Sequence, residues 1–132
     1  MIVDDSQDEL HLMEHIFRGV APDLAVRTVL GGEPALQQLR TASHPPPVIL
    51  LDLRMAGMTG IEVLGQIKRD ERLRHIQVCA FSNGGVPRDI CDCYDAGAAC
   101  FFQKPTGLAE LRSFADCFVR HWFRYASHCE RA

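Results

Sequence analysis

The chain has 132 residues, which is enough for one ordinary domain and too few for two. Hydrophobic residues make up 47% of it, so it can bury a core, and its formal net charge of -3 argues against a general nucleic-acid binder. No apolar run approaches the roughly 20 residues that cross a bilayer, and the first residues lack the basic and apolar regions of a signal peptide. We therefore expect a cytosolic protein with neither membrane nor nucleic acid as a partner.

Six cysteines are present, but none form a C-x-x-C pair and no histidine spacing matches theirs, which argues against a zinc site. In a cytosolic chain we expect reduced thiols that pack as small hydrophobes. Cys91 and Cys93 lie two residues apart on a predicted helix, so their side chains should point to different sides.

Short apolar segments alternate five times with amphipathic ones along the chain. The predicted strands are 2–3, 25–30, 48–51, 76–81 and 98–102. The predicted helices begin after Ser6, at Pro34, after Thr59, at Pro87 and at Thr106. The apolar stripe of the first helix runs to Val20, and the second, fourth and fifth helices are predicted to end near residues 41, 97 and 125. Ser6 with Glu9, and Thr59 with Glu62, match the capping-box spacing. The run 48–51 has no polar interruption, which is typical of a central strand buried on both faces.

Regular strand–helix alternation predicts an α/β fold in which a doubly wound, five-stranded parallel sheet carries helices on both faces. Such folds bind ligands outside the carboxyl ends of their strands. Polar side chains occupy those ends in four of the five predicted strands: Asp4 and Asp5, Asp52, Ser82 and Lys104. The sequence therefore predicts a site at this edge of the sheet.

Three carboxylates at one site repel one another unless a cation joins them, and oxygen ligands suit Mg²⁺. A carboxylate so placed can attack phosphorus and form an aspartyl phosphate. A metal ion and a lysine would neutralise the charge of the phosphoryl oxygens, and a serine hydroxyl could hydrogen-bond the bound group. The chemistry expected of these residues is thus phosphoryl transfer with Mg²⁺.

Four motifs occur in order: Asp4-Asp5, the stretch from Ile49 to Gly60 around Asp52, Phe81-Ser82 and Lys104-Pro105. This set resembles the receiver domains of two-component response regulators over nearly the whole chain. The resemblance implies a flavodoxin-like sheet with strand order 2-1-3-4-5. It also implies a stand-alone receiver over residues 1–126, followed by a short tail at 127–132.

The resemblance implies a role for each matching residue. Asp52 would be the phosphorylated residue, and Asp5 a direct ligand of Mg²⁺ beside Asp52 itself. Asp4 would assist the metal through water, and the backbone carbonyl of Arg54 would be a further ligand.

Ser82 and Lys104 would hold the phosphoryl group, and Ser82 with Phe101 would form the conformational switch. Such a protein is not a conventional enzyme, although it catalyses its own phosphorylation and dephosphorylation. The sequence departs from the family pattern at Ala56, where proline is usual, and at Asn83, where a smaller residue is common. Phe101 lacks the hydroxyl of a tyrosine at that position.

The implied phosphoryl donor is a histidine kinase. Residues 70–73, Tyr94 and the His121-Trp122 pair also resemble small regulators that serve phytochrome-type kinases. A histidine phosphotransfer protein or another protein would act downstream. The predicted last helix is long, so we expect Trp122, Phe123 and Tyr125 to overhang the domain and offer a surface for a homodimer.

Two alternatives remain open at this point. The chain could be a degenerate receiver that acts only as a protein-binding module, although the set of polar residues is complete. It could also be a small Mg²⁺-dependent phosphatase with an aspartyl phosphate intermediate. That chemistry requires a second aspartate two residues after the nucleophile, where this chain has Arg54.

Overall fold

Five parallel strands form a single sheet in the order β2-β1-β3-β4-β5, in a computed structural model that describes residues 1–84 and 87–124. The strands are β1 (Ile2–Asp4), β2 (Thr28–Leu30), β3 (Val48–Leu51), β4 (Gln77–Ser82) and β5 (Cys100–Gln103). In register, Ile2 of β1 lies between Thr28 of β2 and Leu50 of β3. The predicted fold class and strand order are both confirmed. The order reverses between β1 and β3, which places a crevice at the carboxyl ends of these two strands.

Helices cover both faces of the sheet. They are α1 (Gln7–Val20), α2 (Gly32–Thr41), α3 (Gly60–Arg69), α4 (Pro87–Asp95) and α5 (Leu108–Val119), and a π-helical turn at Arg120–Arg124 continues α5. Helices α1 and α5 share one core with Leu50 and Phe81, whereas α2 and α3 share another with Ile49 and Leu51. Strand β3 therefore contributes to both cores, as its uninterrupted apolar sequence predicts.

Several boundaries differ from the predicted ones. Strand β2 is shorter, since it begins at Thr28 rather than at residue 25, and β5 begins at Cys100 rather than at residue 98. Helix α2 begins at Gly32 rather than at Pro34 because Gly31 supplies the turn alone, with a φ of 96° that favours glycine. Helix α5 begins at Leu108 rather than at residue 106. These shifts leave the predicted site residues at the carboxyl edge of the sheet.

The capping prediction for α1 is only half correct. The Ser6 hydroxyl accepts the backbone N–H of Glu9 at 3.3 Å, as expected. However, the backbone N–H of Ser6 donates to Asp4 Oδ1, and the Glu9 carboxylate turns instead to Lys104. At α3, the Thr59 hydroxyl accepts the N–H of Glu62 as predicted.

The end of the last helix also differs from the prediction. Trp122 and Phe123 do not overhang the domain: both are half-buried and pack against the core beneath α1 and α5. Tyr125 and the predicted tail at 127–132 lie outside the described residues. Cys91 is exposed and Cys93 is buried, as their spacing predicts. Among residues 1–84 and 87–124, no helix has the length and apolar character needed to cross a membrane.

Candidate functional site

The carboxyl ends of β1, β3, β4 and β5 surround one polar cavity of about 200 Å³. Strand order explains this arrangement, because the four strands are neighbours in the sheet and their polar residues lie at equivalent ends. Helix α1 closes one side of the cavity with its first turn. The lining includes Asp4, Asp5, Glu9, Asp52, Ser82 and Lys104.

Asp52 lies at the centre of this edge, directly after β3, with only 7% of its surface exposed. The backbone N–H of Arg54 donates to its Oδ1 at 3.2 Å. Burial raises the pKa of Asp52 to about 6, although the charge of Lys104 acts in the opposite direction. The carboxylate is therefore ionised at neutral pH but poorly solvated, which suits a nucleophile.

Two neighbouring carboxylates come from the end of β1. Asp4 is buried, whereas Asp5 is exposed and accepts the backbone N–H of Ala56 at 3.0 Å. A proline at position 56 could not donate this hydrogen bond, so the departure at Ala56 ties the loop after β3 to Asp5. Burial opposes the charge of Asp4, but its side-chain interactions with Glu9 and Lys104, including the hydrogen bond that Lys104 donates, lower its pKa below 3.8 overall.

Lys104 brings a buried positive charge to the site. Its Nζ lies 2.9 Å from Asp4 Oδ2, forms a short hydrogen bond with Glu9 Oε2 and lies 3.7 Å from Asp52 Oδ2. Burial opposes this charge, but the bonds to Glu9 and Asp4 raise the pKa of Lys104 above its usual 10.5. The backbone N–H of Lys104 donates to Ser82 O at 2.9 Å, which fixes the loop after β5. An ammonium group is thus poised beside Asp52 without a direct hydrogen bond to it.

Ser82 ends β4 and lines the same cavity. It is 1% exposed, and its hydroxyl has no hydrogen-bond partner among the residues that the structure describes. Burying a hydroxyl without a hydrogen-bond partner costs free energy. A polar group that enters the cavity and bonds this hydroxyl would recover that cost. Phe101 lies on β5, half-buried, and its backbone N–H donates to the Tyr94 hydroxyl at 3.1 Å.

The chemistry of the acidic residues fits a hard divalent cation. One oxygen from each of Asp4, Asp5 and Asp52 lies within 4.8 Å of the others. Two oxygens on opposite sides of Mg²⁺ are about 4.2 Å apart, so small side-chain rotations would suffice to bind it. The backbone carbonyl of Arg54 stays a predicted ligand. The Arg54 guanidinium forms a salt bridge with Asp89 at 2.7 Å.

The structure brings together every predicted polar residue of the site and adds one that the sequence analysis missed. The sequence pattern predicts only a helix-capping role for Glu9, yet its carboxylate lies in the cavity and bonds Lys104. The spacing between Asp5 and Glu9 was the available signal, because a residue in the first turn of α1 lies close to the carboxyl end of β1. The position four residues after Asp5 therefore belongs to the site.

The sequence model of the response regulator receiver domain matches residues 1–116, which is most of the chain. The chain belongs to this family. The match covers Asp52, Lys104 and the other residues of the cavity, so the receiver's polar site lies wholly within it.

Among curated relatives, the receiver is 34% identical over 130 residues to the two-component response regulator ARR9 of Arabidopsis thaliana, covering 84% of this chain and 55% of that protein. It is 33% identical over 113 residues to a probable cyclic di-GMP phosphodiesterase of Vibrio cholerae, covering 86% of this chain but only 24% of that protein. It is 28% identical to ORR13 of Oryza sativa, of which it covers 89%. The receiver thus spans very different shares of its relatives.

Among solved structures, the receiver resembles the phosphorylated cyanobacterial phytochrome response regulator RcpA with a TM-score of 0.84 and 28% identity. The likeness covers 92% of this chain and 90% of that one. The regulator RPA3017 from red-light signalling of R. palustris has the same fold, with a TM-score of 0.82 and 23% identity. The predicted similarity to regulators of the phytochrome type is confirmed.

Proposed function

We propose that this receiver accepts a phosphoryl group on Asp52 from a histidine kinase, with Mg²⁺ bound by the adjacent carboxylates, and signals through a change of its surface. One observation carries the proposal: a buried carboxylate, a buried ammonium and a buried hydroxyl with no hydrogen-bond partner in residues 1–84 and 87–124 face one cavity of about 200 Å³. These are the groups that a transferred phosphoryl group requires, namely a nucleophile, a counter-charge and a hydrogen-bond donor.

In the proposed reaction, an Asp52 carboxylate oxygen attacks phosphorus and forms the new P–O bond. The bond from phosphorus to the donor breaks, and its electron pair leaves with the donor, a histidine nitrogen of the kinase. Lys104 lies 3.7 Å from Asp52 Oδ2 and would neutralise charge on the phosphoryl oxygens. Mg²⁺, held by Asp5, Asp52 and the Arg54 carbonyl with Asp4 assisting through water, would supply further charge neutralisation at those oxygens.

The proposed switch starts at Ser82. Its hydroxyl has no partner in the described residues and would hydrogen-bond the phosphoryl group, and Phe101 on the neighbouring strand would turn inward. A local charge change would thereby bias two arrangements of the surface around α4, β5 and α5.

The proposed partners follow from the family and the likeness to phytochrome regulators. The donor is a histidine kinase, with the phytochrome type as the first candidate, and the recipient is a phosphotransfer protein or another protein in the cytosol. A homodimer through α5 is also proposed, because the half-buried Trp122 lines an apolar cavity of about 410 Å³ between β5 and α5. Light scattering with and without a phosphoryl mimic tests it, and a monomer in both conditions contradicts it.

Intact mass spectrometry after incubation with acetyl phosphate and Mg²⁺ tests the proposed chemistry. We expect the mass of one phosphoryl group to be gained, and the gain to be absent with EDTA or in Asp52→Asn. Absence of any gain in the natural chain would contradict the proposal and would favour the degenerate receiver that acts as a binding module.

A further inference from the structure

We infer that Glu9 is a positioning residue that holds Lys104 away from Asp52 in the unphosphorylated chain and slows phosphoryl transfer. The inference rests on the function proposed for Asp52 and concerns the regulation of the same site. Helix α1 presents the Glu9 carboxylate to the cavity from its first turn.

The contacts of Lys104 carry the argument. Its ammonium hydrogen-bonds Glu9 and Asp4 but lies 3.7 Å from Asp52 Oδ2, beyond a normal hydrogen bond. An ammonium has three N–H donors, and two are directed to the α1 and β1 side of the cavity. Glu9 is therefore a competitor for the cation that the phosphorylated Asp52 would need.

Exposure indicates which contact can be released. The Lys104 side chain is 8% exposed and that of Asp4 is 7% exposed, whereas the Glu9 side chain is 40% exposed. Water can solvate Glu9 when its contact with Lys104 breaks, but Asp4 would remain buried with its charge. Release of Lys104 toward a phosphoryl group should thus proceed by loss of the Glu9 contact.

Glu9 also adds a negative charge to a cavity that must admit an anionic phosphoryl donor. Replacing the carboxylate by an amide removes this charge and weakens the bond to Lys104 while keeping the size of the side chain. Asp8→Asn is a matched control, because Asp8 is also acidic and lies in the same first turn of α1. Both variants lose one charge near the positive end of the helix.

The first test is the rate of phosphorylation by saturating acetyl phosphate with Mg²⁺, in the natural chain, Glu9→Gln and Asp8→Asn. We expect Glu9→Gln to raise the rate at least about threefold, the scale of one partly exposed charge pair, and Asp8→Asn to leave it nearly unchanged. The difference should shrink as ionic strength rises from about 0.05 M to about 0.5 M, because salt screens charges. An unchanged or lower rate in Glu9→Gln, or an equal rise in Asp8→Asn, would overturn the inference.

The second test does not depend on phosphorylation. A double-mutant cycle of Glu9→Gln and Lys104→Met, measured by urea unfolding without metal ions, gives the coupling between the two side chains. We expect the cycle to change the unfolding constant at least about threefold, whereas a factor of one overturns the inference. If the coupling is present but the natural chain takes up no phosphoryl group, the proposed function fails. The Glu9–Lys104 contact would then exist without an effect on phosphorylation, and this result also overturns the inference.

Discussion

Gly60 lies where α3 passes closest to the backbone that carries the phosphoacceptor candidate. A Cβ added at this position would lie 2.2 Å from the Asp52 carbonyl oxygen and 2.6 Å from Leu53 Cα. Ordinary contact begins at 3.4 Å, so the Asp52 backbone or the start of α3 must move by about 1.2 Å. Overpacking of this kind costs about 1–3 kcal/mol of stability, and a misplacement of about 1 Å at a reacting group can cost about 100-fold in rate.

We therefore expect Gly60→Ala to lower the free energy of unfolding by about 1–3 kcal/mol and the phosphorylation rate by at least about tenfold. Urea unfolding and mass spectrometry with acetyl phosphate measure the two effects. Gly65→Ala is the control in the same helix, since its Cβ would meet only the flexible end of the Arg69 side chain. It should stabilise the chain by about 0.5–1 kcal/mol. Equal stability and equal rates in the two variants would refute the reasoning.

Three further predictions concern the charges and the hydroxyl of the cavity. Because the pKa of Asp52 rises from 3.8 to about 6 on folding, its charge lowers stability as pH rises from about 4 to about 6. In EDTA, Asp52→Asn should thus have a free energy of unfolding up to about 3 kcal/mol higher than that of the natural chain above pH 6. Urea unfolding should show this gain disappear at about pH 4, and a gain that persists at that pH would contradict the prediction. Ser82→Ala should lower the metal-free free energy of unfolding by no more than about 0.5 kcal/mol, because the hydroxyl has no partner in the described residues. The variant should nevertheless show a smaller rise in melting temperature with beryllium fluoride and Mg²⁺ than the natural chain. An equal rise would argue against a role for the hydroxyl. Asp5→Asn should fold normally, since Asp5 is exposed. It should lose the rise in melting temperature that Mg²⁺ alone causes in the natural chain, and a retained rise would exclude Asp5 as a ligand.

The sequence predicted the fold, and the meeting of the polar residues at one edge of the sheet, where one physical requirement dominated. Residues 48–51 form β3 as predicted because an uninterrupted apolar run has one stable place, in the middle of the sheet. The polar residues after the strands come together because parallel strands end at one edge. These features depend on local sequence and on the topology alone.

Other features depended on tertiary contacts that the local pattern does not contain. The spacing of Ser6 and Glu9 is that of a capping box, but Asp4 accepts the Ser6 N–H and a lysine 95 residues away bonds Glu9. The aromatic residues after α5 suggested an overhanging surface, yet the core beneath α1 and α5 has room for Trp122 and Phe123. Helix α2 begins earlier than predicted because Gly31 has a positive φ. A glycine can adopt a positive φ, but its presence in the sequence does not show that it does.

Mapping the phosphorylated residue decides whether Asp52 is the phosphoacceptor. After incubation with acetyl phosphate and Mg²⁺, borohydride reduces an aspartyl phosphate to homoserine, and peptide mass spectrometry identifies the converted residue. We expect homoserine at position 52 and unmodified aspartate at positions 4 and 5. Conversion at Asp4 or Asp5, or no conversion in chains that have gained a phosphoryl group, would contradict the assignment of Asp52 as the phosphoacceptor.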